Sequence, residues 1–74
     1  MRKWLKELRE ESKLTMKEMA TKLSISESYY CAIENGTRQK KMDMGMAALL
    51  AATLGISVET IARFESEWVK LSAS

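Results

Sequence analysis

Apolar residues recur at three-four spacing in five successive stretches, and the polar residues between them are of the kinds that start and stop helices. In the first stretch, Trp4, Leu5 and Leu8 make a stripe along a helix from about Arg2 to Ser12, with Leu14 closing the connection. Lys3–Glu7 and Lys6–Glu10 are spaced on it for surface ion pairs, each worth about 0.2–0.5 kcal/mol. The second helix opens on Thr15-Met16-Lys17-Glu18, a capping box in which the Thr15 hydroxyl and the Glu18 carboxylate satisfy each other's backbone N–H groups. Its buried face is Met16, Met19, Ala20 and Leu23, where the small Ala20 lets another helix cross closely. Only Ser24-Ile25 separates it from a third helix that Ser26 caps and that ends at Asn35-Gly36, where Gly takes the left-handed conformation. Thr37 to Lys41 lacks apolar residues and reads as an exposed loop. Asp43 caps a fourth helix whose repeat is Met44, Ala47, Leu50, Ala51 and Leu54, and Gly55 stops it. Ser57 caps the fifth, from Val58 to about Leu71. Its stripe of Val58, Ile61, Ala62, Phe64, Trp68, Val69 and Leu71 covers nearly half the wheel, more than the roughly 100° that one core requires. Glu65 lies in the middle of that stripe. Two accounts fit it: Phe64 and Trp68 fold back onto the first helix near Trp4, or Phe64, Trp68 and Leu71 meet their copies in a second chain.

Five helices without a strand pattern predict an all-α fold, and 74 residues predict a single domain. A domain of that size buries only about 60% of its unfolded surface, so its core depends on efficient helix packing. No apolar run approaches the roughly 20 residues of a membrane span. The opening Met-Arg-Lys-Trp-Leu-Lys-Glu alternates charge and lacks the apolar centre of a signal peptide, so a cytoplasmic protein is expected. Cys31 is the single cysteine and histidine is absent. That excludes an internal disulfide and a Cys/His zinc site, and removes the usual general base and the usual partner of a Cys or Ser nucleophile. No metal, cofactor or enzymatic activity is expected.

The third helix is the least ordinary. Tyr30 and Ile33 face one way, while Ser28, Cys31 and Ala32 face the other, leaving a short, nearly uncharged surface that suits close approach to something else. Two helices joined by so tight a turn make a helix-turn-helix, whose second helix usually reads the major groove of DNA. Charge distribution agrees in sign. Residues 1–41 carry ten Lys and Arg against six acidic residues, and residues 42–74 carry two against four. The basic half contains the helix-turn-helix, which suggests a polyanion on that side. The same charges also suit ordinary solvated helix faces.

Taken in order, Leu14-Thr15-Met16-Lys17-Glu18-Met19-Ala20, Leu23-Ser24-Ile25-Ser26-Glu27-Ser28, Ile33-Glu34-Asn35-Gly36-Thr37-Arg38 and Leu50-Ala51-Ala52-Thr53-Leu54-Gly55-Ile56-Ser57 resemble the lambda-repressor-like (Cro-type, XRE-type) helix-turn-helix family. The match covers about residues 5–61, leaving 62–74 as an extension of the last helix. The resemblance implies a five-helix domain that binds double-stranded DNA, usually as a homodimer on a palindromic operator, and regulates transcription. It implies base contact by Glu27, Ser28 and Ala32, with Tyr29 and Cys31 beside them. Phosphate contact falls to Arg38, Lys40 and Lys41, aided by Lys17, Lys22, Asn35 and Gln39. It also implies a largely buried ion pair between Arg9 and Glu34. Three departures stand out: Met16 where relatives commonly have Gln, Ser24 where they have Gly, and a longer loop without Pro before the fourth helix. The rival reading is a protein-interaction module on the same fold, antitoxin-like or anti-repressor, with the last helix and the tryptophans as its contact surface.

Overall fold

The computed structural model describes residues 1–73, with side chains through Leu71; Ser74, the last residue of the expected extension, lies outside the described residues. Its elements are α1 (Lys3–Glu11), α2 (Met16–Leu23), α3 (Glu27–Asn35), α4 (Met44–Leu54) and α5 (Val58–Ala73). The local chemistry of the chain sets most of these limits. Glu18 N–H donates to Thr15 Oγ1 at 3.1 Å, and Thr15 N–H donates to Glu18 Oε1 at 2.9 Å, closing the capping box of α2. The bond from Thr15 N–H, helped by the Thr15 side chain, holds the Glu18 carboxyl below its ordinary value. Ser26 Oγ accepts from Tyr29 N–H, Asp43 Oδ1 from Met46 N–H, and Ser57 Oγ from Thr60 N–H. Each satisfies one of the N–H groups that a helix start leaves without an internal partner.

The turn between α2 and α3 is made by Ser24 at φ 59° and ψ 40°, a left-handed conformation that disfavours a Cβ. Ile25 N–H then donates to Ala20 O at 3.0 Å, which folds the turn back on its own helix. At the end of α3, Gly36 is also left-handed, with φ 83°. There glycine is required twice over, because a Cβ would come within 2.8 Å of Trp68 Cζ2.

The core draws on all five helices: Leu5 from α1, Met19, Ala20 and Leu23 from α2, Tyr30 and Ile33 from α3, Met46, Leu50 and Ala51 from α4, and Ile61 from α5. Burying each of the larger side chains contributes about 1.5–3 kcal/mol. Ala20 is only 2% exposed and keeps α2 close to its neighbours. Arg2, Arg9 and Glu34 are buried with them. Arg9 Nε donates to Glu34 Oε2 at 2.7 Å, and Arg9 Nη1 donates to Leu14 O at 2.9 Å, so one guanidinium ties the α1–α2 connection to the end of α3. Beside them, burial pushes the Tyr30 hydroxyl above its ordinary value, and the nearby Glu34 carboxylate pushes it further.

Several expectations change. Met44 does not join the buried repeat of α4: it stands at the first helical position, 82% exposed, and Met46 fills the core instead. Arg2, one of the ten basic residues of the first half, is fully buried, paired with Glu65 at 2.8 Å, with its guanidinium carbon 4.4 Å from the centre of the Trp68 ring. The spacings Lys3–Glu7 and Lys6–Glu10 form no ion pair; among the described residues the pairs are Arg2–Glu65 and Arg9–Glu34. Phe64 stacks on Trp4 with ring centres 5.8 Å apart, and Trp68 Nε1 donates to Met1 O at 2.8 Å. The aromatic half of α5 thus packs on the N-terminal segment, while Leu71 remains 77% exposed. No single helix among the described residues is long and apolar enough to cross a membrane.

Candidate nucleic-acid interface

Helix α3 presents its small residues outward because Tyr30, Ile33 and Glu34 are drawn into the core. Glu27 and Ser28 are exposed and Cys31 and Ala32 half-buried on the outward side, while Tyr29, also half-buried, flanks the core face. Met16, at the start of α2, joins Glu27, Ser28 and Cys31 around a shallow, open depression. No described residue of α5 lines it. The side chain at position 16 is therefore an apolar wall of this depression. Asn35, one turn beyond Cys31, is exposed and its Nδ2 lies 3.6 Å from Cys31 Sγ.

Exposed cations lie on α2 and on the segment after α3. Lys17 and Lys22 are exposed on α2, and Arg38, Lys40 and Lys41 are exposed in the segment after α3. None of the five is paired with a carboxylate within salt-bridge distance among the described residues. They remain available to a polyanion, and their electrostatic effect is weakened chiefly by salt.

The segment carrying Arg38, Lys40 and Lys41 has a fixed shape. Thr37 N–H and Arg38 N–H both donate to Ala32 O, at 3.0 and 3.2 Å. Gln39 is left-handed at φ 53°. Its Nε2 donates to Tyr29 Oη at 3.0 Å, and its Oε1 accepts from Asp43 N–H at 3.1 Å. Both ends of the Gln39 amide are thus used inside the protein. Gln39 braces the loop, and the Tyr29 hydroxyl, which accepts from it, still has its own proton to donate outward. From within, Arg2 Nη1 donates to Ile33 O at 2.6 Å and to Arg38 O at 3.1 Å, and Nη2 donates to Gln39 O.

The structure brings Glu27, Ser28, Tyr29, Cys31 and Ala32 together on α3, with Lys17, Lys22, Asn35, Arg38, Lys40 and Lys41 displayed on the same two helices and the following loop. Sequence reasoning missed Arg2 and the bracing part of Gln39. The one signal for Arg2 was Glu65: a carboxylate in the centre of an apolar stripe asks for a buried cation, but does not say which. Among the described residues, no group of three or more His, Cys, Asp or Glu is placed to hold a metal ion.

Comparison with known proteins gives the same picture. A family model described as a helix-turn-helix domain matches residues 3–67. A protein of Bacillus subtilis (strain 168) named as an uncharacterized HTH-type transcriptional regulator, YqaF, is 51% identical over 39 residues. That stretch is 53% of this chain and 51% of the relative, so the chain matches about half the relative's length. No solved structure matches. With its five helices, left-handed turn at Ser24 and outward α3, the chain belongs to the helix-turn-helix domain family, in its lambda-repressor-like form.

Proposed function

We propose that this protein is a sequence-specific DNA-binding transcriptional regulator that lays α3 in the major groove. The observation that carries the reading is the open, small-residue face of α3, together with five exposed cations on α2 and the loop after α3 that are unpaired among the described residues. Ser28 can bond several bases, Ala32 can pack on a thymine methyl, and Glu27 can accept from cytosine N4. Arg and Lys are absent from α3, so the commonest guanine contact is missing. Specificity then leans on operator shape and half-site spacing. Affinity comes mainly from phosphates held by Arg38, Lys40 and Lys41, with Lys17, Lys22, Asn35 and the Tyr29 hydroxyl in support. The name of the Bacillus relative supports the same assignment.

A homodimer on a palindromic site completes the proposal. Its candidate surface is the exposed edge of α5, where Leu71 stands beside the outer parts of Phe64 and Trp68. Selection of bound fragments from random DNA, with mobility shifts at two salt concentrations, tests both parts. Recovery of inverted half-sites at a fixed spacing supports them. Absence of binding to any duplex at low salt refutes the DNA reading. Recovery of single, unpaired sites refutes the palindrome.

A further inference from the structure

We infer that Arg2, gripped from α5 by Glu65, is a positioning residue that sets the Arg38–Lys41 segment for phosphate contact, which makes the middle of α5 part of the DNA-binding apparatus. The inference rests on the DNA reading above. Arg2 lies in the first residues of the chain and has no exposed surface, so its own side chain is not placed to touch DNA. Its guanidinium spreads instead over three backbone carbonyls, those of Ile33, Arg38 and Gln39, at the end of α3 and in the loop after it. The remaining donors face Glu65: Nε lies 3.0 Å from both carboxylate oxygens, and Nη2 lies 2.8 Å from Oε1. Trp68 lies against the guanidinium and the backbone of Gly36. Arg2 N–H also donates to Glu34 O at 2.6 Å.

This arrangement does more than neutralise a buried acid. A single cation facing Glu65 would serve that need, and an ammonium would do. Three carbonyls converging on one group need a planar fork with several donors in fixed directions, which Arg has and Lys lacks. Two of those carbonyls belong to Arg38 and Gln39, next to Lys40 and Lys41, and Gln39 holds a left-handed conformation that an L side chain rarely adopts. Such a conformation persists where its surroundings over-determine it. Here Arg2 fixes its carbonyl, while Tyr29 and Asp43 fix its side chain.

The test compares the full chain with its Arg2→Lys and Glu65→Gln variants. Circular dichroism reports folding, amide exchange at Thr37, Arg38 and Asp43 reports the loop, and duplex binding at two salt concentrations reports function. Arg2→Lys keeps the charge facing Glu65 and removes the fork. The expected result is retained helix content with exchange at those three amides faster by about tenfold or more. Binding should fall about tenfold, with the salt slope flattened by roughly one contact. Glu65→Gln should change the same readouts in the same direction and more weakly, and it carries the test alone if Arg2→Lys does not fold. A folded variant with wild-type exchange, or with loosened exchange and wild-type binding and salt slope, overturns the inference. Wild-type protein that binds no duplex overturns the DNA reading itself, and the exchange data then show separately whether Arg2 holds the loop.

Discussion

Replacing Lys40 and Lys41 together by Ala removes two exposed cations from a loop whose shape they do not maintain. Neither side chain takes part in the bonds that hold that loop, which come from Arg2, Gln39, Thr37 and the Ala32 carbonyl. The fold should therefore survive unchanged, as exposed substitutions away from such features usually stay within about 0.5 kcal/mol. The effect on DNA is calculable. Each neutralised phosphate contributes about 0.9 to the slope of log affinity against log salt, so two lost contacts flatten it by roughly 1.8 per protomer. Between about 50 mM and about 200 mM salt, the advantage of wild type over the variant should then shrink by about twelvefold. Because phosphates carry no sequence information, the loss should be the same for a selected site and for an unrelated duplex. Fluorescence anisotropy across a salt series, on both duplexes, measures all of this. An unchanged slope removes the loop from the interface, and a loss confined to the selected site shows that these lysines read bases.

Arg9→Ala strands the buried Glu34 carboxylate and should cost about 3–5 kcal/mol in chemical denaturation, with removal of both charges together costing less than that single change. Ser24→Gly relieves a left-handed Cβ and should stabilise by about 1 kcal/mol, whereas Gln39→Gly relieves the same strain but loses two side-chain bonds and should not. Tyr30 is held neutral in the folded state, so stability is fully present below about pH 10, where the unfolded tyrosine ionises, and falls as pH rises beyond it; Tyr30→Phe should remove that part of the alkaline loss in pH-dependent melts. Glu18 is shifted the other way: its contribution is present above the ordinary carboxylate value and lost as pH falls through the lower folded value, and Glu18→Gln should flatten that acid limb.

The helix plan is legible residue by residue because its signals are local. Thr15 and Glu18 sit three residues apart, Ser26, Asp43 and Ser57 each meet an N–H three residues on, and Gly36 and Gly55 take the left-handed positions that end helices. The outward set on α3 is legible for the same reason, since the inward pull of Tyr30 and Ile33 determines what remains outside. Arg2 is not legible. Its partners lie 31 to 63 residues away, and nothing in its neighbourhood distinguishes it from Lys3 or Lys6. Gln39 reads as one more polar residue in a basic run, yet its side chain bonds within the protein at both ends. Met44 shows the limit of periodicity: at the first position of α4 it keeps the spacing of the stripe but lies beyond the packed surface.

The turn at Ser24 has a consequence for the duplex rather than the protein. Ile25 N–H is bonded back to Ala20 O, and Ala20 is buried in the core that α2 and α3 share. The two helices act as a gauge of fixed span. Any misfit between that span and a groove must be taken up by bending or twisting the nucleic acid. Base steps that yield easily, such as TA and CA, should then improve binding even where no side chain reaches them.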